Sequence, residues 1–213
     1  RERLKMDLLT AAFFARKVPE TENEVPTNAH LRVLAEGQDL PDTLRQSIQT
    51  LAQTYRFLHW PLAFPQIFGE QGRGGFDVLL GNPPWDVSQF GEEEFFSSRA
   101  PEIAALAGAK RKTEIDQLEL NGPRLWGEYQ HGRREIEGQN QFFRLAGRND
   151  LTAKGKLNLY ALFAEHFAKA INPQGRAGVI VPTGIATDDS TKFFFGWLAS
   201  GKRLVSLYDF ENR

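Results

Sequence analysis

Asn82-Pro83-Pro84-Trp85 is the stretch whose residue types and spacing could do chemistry. The side-chain carbonyl of Asn82 can accept a hydrogen bond from an amino group, and the backbone carbonyl of Asn82 or Pro83 offers a second acceptor. Two acceptors on one amine orient the lone pair of its nitrogen. Pro83 and Pro84 have fixed φ and no N–H, so the loop is stiff and its carbonyls face no competing donor within it. Trp85 adds a flat stacking face. An extruded base with an exocyclic amine is the ligand such a set suits. The bland reading is a proline-rich strand-to-loop turn with a shielding Trp, since Asn-Pro and Pro-Pro pairs are ordinary turn punctuation.

The elements that must position this loop follow from hydrophobic patterning. Residues 76–81, Phe-Asp-Val-Leu-Leu-Gly, read as a buried parallel strand that delivers the tetrapeptide to the carboxyl edge of a sheet, where open α/β folds bind ligands. A helix over 157–171, with Leu159, Leu162, Phe163 and Phe167 on its apolar side, leads into a second apolar strand at 177–182. That order implies a right-handed parallel crossover, placing Thr183-Gly184 on the same edge as Asn82. Asp188, Asp189, Ser190 and Thr191 cap a further helix containing Phe193, Phe194 and Trp197. Residues 204–208 then read as a third strand, ending at Phe210 near the same edge.

Residues 1–70 form a helical region. A helix over 1–17 carries Leu4, Leu8, Leu9, Ala12 and Phe13 on one side; Thr27 or Asn28 caps a short helix ending at Gly37; Pro41 opens another, with a stripe of Leu44, Ile48, Leu51 and Tyr55. His59, beside aromatics and Pro61, reads as a packed, hydrogen-bonded residue rather than a chemical one. Residues 71–213 form the core that bears the motif, interrupted over about 86–150 by a connection too long for a compact α/β unit. Within it, residues 99–120 and 123–145 read as a helical hairpin broken at Asn121-Gly122-Pro123. Lys110-Arg111-Lys112 and Arg133-Arg134 concentrate the positive charge there, which suits either a solvated, ion-paired helix face or contact with DNA phosphates. Glu92-Glu93-Glu94 would repel DNA, and is expected to face solvent or pair with nearby bases.

Asn82-Pro83-Pro84-Trp85 resembles the catalytic motif of amino-group DNA methyltransferases, in the form most typical of adenine N6 enzymes. His59-Trp60-Pro61-Leu62, Phe64-Pro65, Phe68 and Gly75-Phe76-Asp77 resemble the large restriction-modification methylases of the type IIG and related phage-defence group. So do Asn158-Leu159-Tyr160-Ala161-Leu162-Phe163, Gly178-Val179-Ile180-Val181-Pro182-Thr183-Gly184 and Leu207-Tyr208-Asp209-Phe210-Glu211-Asn212. The resemblance implies the carboxyl half of a Rossmann-like α/β methyltransferase sheet with a helical insertion. It also implies DNA as partner, S-adenosyl-L-methionine as methyl donor, and a nuclease or specificity region in the same polypeptide or complex. Asn82, Pro83, Pro84 and Trp85 would be catalytic, holding a flipped adenine whose amine nitrogen attacks the donor's methyl in line. The region of Asn158 and Tyr160 would lie near cofactor or active site, although helix packing explains Tyr160 equally well. Phe210 would contact the flipped base or pack in the core. The same motif also occurs in enzymes that methylate glutamine side-chain amides, and a methylase scaffold without activity, serving in DNA binding or assembly, is a third reading.

Composition narrows the choice. Twenty-six Lys plus Arg against 27 Asp plus Glu leave no global basic field, so nucleic-acid affinity must be local. With no Cys, disulfides, thiolate metal sites and cytosine C5 methylation, which needs a cysteine nucleophile, are all excluded. The adenine reaction calls for no metal. No run approaches transmembrane length and Arg1 to Met6 do not open a signal peptide, so a cytoplasmic protein is expected. The chain begins without Met and stops at Asn212-Arg213 just past an apolar run, which reads as a fragment. Gly72-Arg73-Gly74-Gly75 precedes a strand instead of following one, and reads as a turn rather than a nucleotide fingerprint.

Overall fold

The computed structural model describes residues 1–210. At the amino end, α1 (Glu2–Phe14), α2 (Asn28–Ala35) and α3 (Asp42–Thr54) close around Leu8, Ala11, Leu34, Leu40, Leu44 and Ile48. Thr27 is the residue that caps α2, its backbone N–H donating to Nδ1 of His30 at 3.2 Å. The inner face of α1 is not the one its apolar residues suggest. Leu9 is exposed, whereas Asp7 and Thr10 are buried. The cause is tertiary: Asp7 Oδ1 lies 2.8 Å from Nε2 of buried His59, so α1 turns this carboxylate inward and keeps it hydrogen-bonded. His59 is thus a packed residue, as expected.

Two single-turn helices, α4 (Trp60–Ala63) and α5 (Pro65–Phe68), bring Trp60, Phe64 and Phe68 around Phe76, with ring centroids 5.1 to 5.3 Å away. Phe76 opens β1 (Phe76–Gly81), which pairs in parallel with β2 (Ile171–Val179). Between them the insertion runs through α6 (Glu92–Ser97), α7 (Pro101–Ala104), α8 (Gly108–Asn121) and α9 (Pro123–Leu145), and α10 (Leu159–Ala170) returns the chain to the sheet. The helix expected over 99–120 is two helices, because the chain turns at Ala105 to Ala107 and Gly108 takes φ +55°. The insertion has its own core of Phe96, Ala100, Ile103, Ile115 and Tyr129. It is moored to α1 through α9: Arg134 Nη2 donates to the carbonyls of Phe13 and Ala15, and Gly138 allows the close approach, since a Cβ there would stand 2.8 Å from Phe13 O.

The sheet differs from the sequence reading in three ways. The second strand starts earlier, with Ile171 opposite Phe76, then slips at Asn172 to Gly175 before Arg176 pairs with Val78. Gly75 is required there, because its φ is +151° and a Cβ would stand 2.5 Å from the backbone of Ile171 and Asn172. Second, β1 is not buried on both sides: Val78 is 60% and Leu80 77% exposed, and Ile180, beyond β2 in the same alternation, is also exposed. All-parallel sheets normally have both faces covered. Among the described residues, no element covers this one. Third, residues 204–208 form no strand. Their strand-like composition meets no ladder partner; instead the N–H groups of Arg203 and Leu204 donate to Leu198 O, folding the chain back on α12 (Lys192–Ser200), which follows the single-turn α11 (Gly184–Thr187), with Val205, Tyr208 and Phe210 exposed. The described architecture is therefore α/β in a coarse sense, mainly helical around a two-stranded parallel sheet.

Candidate functional site

Asn82 is the first residue beyond β1, at the carboxyl end of the sheet. Gly81 carries two functions just before it: its carbonyl accepts from Ile180 N at 3.1 Å, and its bare Cα leaves room for the Phe167 ring of α10, which a Cβ would meet at 2.8 Å. Pro83 is buried while Asn82, Pro84 and Trp85 are exposed. The loop is thus pinned by its middle and presents the two groups on either side. Trp85 Nε1 donates to Ile180 O at 3.4 Å, so the indole lies across the ends of both strands with 54% of the residue still open.

The loop's exit is held more firmly. Leu159 N donates to Asp86 O, Val87 bridges Asn158 in antiparallel fashion, and Ser88 N donates to Leu157 O. From α9, Asn140 exchanges two bonds with Ser88: its Oδ1 accepts from Ser88 Oγ at 2.6 Å and its Nδ2 donates to Ser88 O at 3.0 Å. The residues before Asn158 are fixed in turn by Glu165. This fully buried carboxylate accepts from the N–H of Leu151 and Thr152 and the hydroxyl of Thr152, and meets Lys169 Nζ at 2.6 Å. A buried charge held by so many donors is fully compensated. The resulting rim is open to solvent. Two cavities lie elsewhere: one of about 910 Å³ between β2, α12 and residues 204–207, and one in the insertion.

The other candidates scatter. Asn158 is half-buried at the start of α10, beside the motif's exit. Tyr160 is 4% exposed and packs with Ala164, Ile185 and Phe194; its hydroxyl donates to Asp188 Oδ2 at 3.3 Å. Burial, with Asp188 as the next cause, raises the Tyr160 phenol above its ordinary value. The packing explanation of Tyr160 is the one this geometry fits. Lys110-Arg111-Lys112 does not act as one patch: Arg111 turns inward on α8, donating to Ala104 O and pairing with Glu93, while Lys110 and Lys112 face solvent. Glu92 accepts from the Tyr129 hydroxyl, so two of the three acids engage neighbours rather than a ligand. Phe210 is 87% exposed and packs in no core among the described residues. Glu211 and Asn212, quoted for the resemblance, lie outside the described residues.

No signal in the sequence pointed to Asn140, Glu165 or Asp86 as supports of the rim, because their partners are distant along the chain or engage a backbone carbonyl. The Gly-rich stretch was legible as a turn: Gly74 and Gly75 have positive φ, and Gly75 lies against the backbone of Ile171 and Asn172 where β1 closes on β2. It therefore does not fit a cradle for S-adenosylmethionine. Nor, among the described residues, do three or more His, Asp or Glu gather as metal ligands. No helix among them is long and apolar enough to cross a membrane. Neither family models nor curated proteins nor solved structures match the chain.

Proposed function

We propose that this chain carries the base-holding part of a DNA adenine N6-methyltransferase of restriction-modification type, built on a Rossmann-like methyltransferase sheet. One observation carries the reading: exposed Asn82 and Trp85 flank buried Pro83 at the carboxyl end of a parallel strand. In this reading an adenine swung out of the duplex stacks on the open face of Trp85, and its amine donates to Asn82 Oδ1 and a neighbouring backbone carbonyl. Those bonds favour a tetrahedral nitrogen whose lone pair is withdrawn from the ring and free to form a bond. S-adenosylmethionine is the methyl donor the resemblance implies, and of the two residues it sets near the donor, Asn158 is half-buried beside the motif's exit while Tyr160 is packed in the core. The use of the Gly-rich stretch as a turn that closes β1 on β2 favours, as a second reading, a methylase scaffold that binds DNA or assembles with a partner without catalysis.

Methyl-sensitive sequencing of DNA from cells expressing the full-length protein, or its Asn82→Ala variant, separates the two. Removing one preorganised hydrogen-bonding group should slow methyl transfer by about 10²- to 10³-fold. Because Asn82 is exposed, folding should change by no more than about 0.5 kcal/mol. Adenine methylation that persists at the wild-type rate in Asn82→Ala defeats the assignment; its absence from the wild type as well selects the scaffold.

A further inference from the structure

Away from the motif, one exposed cluster stands out by its charge. Phe193 sits on the first turn of α12 and is 50% exposed, although the next residue, Phe194, is buried in the core. Two ammonium groups approach its ring: Lys154 Nζ at 4.0 Å and Lys192 Nζ at 5.3 Å from the centroid. Lys192 also meets Asp189 Oδ1 at 2.8 Å, whereas Lys154 makes no ion pair among the described residues. Lys156 is exposed two residues on.

The cluster is held on both sides. Arg144 of α9 donates to Ala153 O at 3.2 Å and Gly155 O at 2.7 Å, clamping the backbone on either side of Lys154. Thr191, one residue before α12, is buried and donates from Oγ1 to Gly184 O at 2.8 Å, tying the helix to the start of α11. The chain from Lys154 reaches Asn158 in four residues, and Asn158 bridges Val87, two residues past Trp85. The cluster is thereby tethered to the rim. Four extended residues span at most about 14 Å.

An aromatic face attracts a cation, but two cations gathered at one ring also repel each other. Asp189 already offsets the charge of Lys192, so the charge left unmatched at the ring is that of Lys154, and an anion lying beside it pairs with that charge while leaving both attractions in place. A nucleic-acid strand supplies one phosphate per nucleotide and suits such a pair better than a single small anion does. We infer that Lys154 and Lys192, positioned by Phe193, grip the phosphodiester backbone of the DNA beside the base held at Asn82–Trp85. The inference rests on the reading given under Proposed function for its ligand, but not on methyl transfer.

The test is anisotropy of a fluorescent duplex titrated with the full-length protein at salt from about 50 to about 200 mM. Lys154→Ala should weaken binding and reduce the magnitude of the slope of log K against log salt by about 0.7 to 0.9, the value of one lost phosphate contact. Phe193→Ala should weaken binding with both lysines present, and Phe193→Tyr should restore it, which distinguishes a positioning ring from a general loss of fold. An unchanged slope in Lys154→Ala overturns the inference even where methylation is confirmed; a reduced slope upholds it even where no methylation is found. No DNA binding by the full-length protein, or a Lys154→Ala loss confined to vesicles of anionic lipid, overturns it also.

Discussion

Trp85 allows stacking and folding to be separated in one position. At 54% exposure, rather less than half of an indole's surface is withdrawn from water. For a side chain burying up to about 200 Å² at about 25 cal/mol per Å², that portion contributes about 2 kcal/mol to folding, as an upper bound. The bond from Nε1 to Ile180 O is long, and its loss adds about 0.5 kcal/mol. Trp85→Ala should therefore lower stability by up to about 2.5 kcal/mol, and Trp85→Phe by about 1 kcal/mol or less because most of the buried carbon remains. The stacking contribution to a flipped base is a separate quantity, about 1 to 3 kcal/mol, or roughly five- to 150-fold in affinity. Binding to a duplex with the target adenine opposite an abasic site reports it, because no pairing has to be broken. Urea midpoints measured on the same preparations report the folding part. Trp85→Ala should lose affinity for that duplex, while Trp85→Phe keeps most of it and neither changes affinity for a duplex lacking the target base. Equal losses on both duplexes, or equal affinities for the Ala and Phe variants, would refute the reasoning.

Leu44→Ala, at a fully buried position of the amino-terminal core, should cost about 2 to 5 kcal/mol in urea unfolding, whereas Leu80→Ala on the open face of β1 should cost no more than about 0.5 kcal/mol. Leu80→Lys should raise the concentration at which the described chain aggregates, since it breaks an exposed apolar patch; light scattering checks it. Glu165→Ala should cost about 3 to 5 kcal/mol, because Lys169 and the N–H groups of Leu151 and Thr152 lose their shared acceptor. Burial, then Arg148 and Lys169, hold His166 below its ordinary value of 6.5, so the unfolded chain takes up this proton at a higher pH than the folded one. Stability is complete above about pH 6.5 and should fall as pH drops through and below that value. Urea midpoints across that range should fall less steeply in His166→Phe, and an identical profile would exclude His166 as a source of the slope.

The regular elements were largely legible along the chain because their causes are local. Apolar residues spaced for one helical face marked α3, and Leu44 and Ile48 of that stripe are its buried residues. Asn121-Gly122-Pro123 marked the break before α9, whose bounds match the expected 123–145. The turn character of Gly72 to Gly75 followed from its place before a strand, and the approach of Ile171 supplies its physical reason. Asn82 could be placed at a strand's carboxyl end because an apolar run immediately precedes it.

What depended on partners could not be read that way. Asp7 faces inward because His59, 52 residues away, meets it there; Arg111 leaves the basic run because Ala104 and Glu93 engage it. Residues 204–208 have the composition of a strand, yet a strand exists only where another offers a matching row of donors and acceptors. The sequence by itself determined where the chain would be stiff, apolar or helical, since those properties belong to neighbouring residues. Only the tertiary structure decided which side chains stand open at the rim, because exposure depends on what packs from elsewhere in the chain.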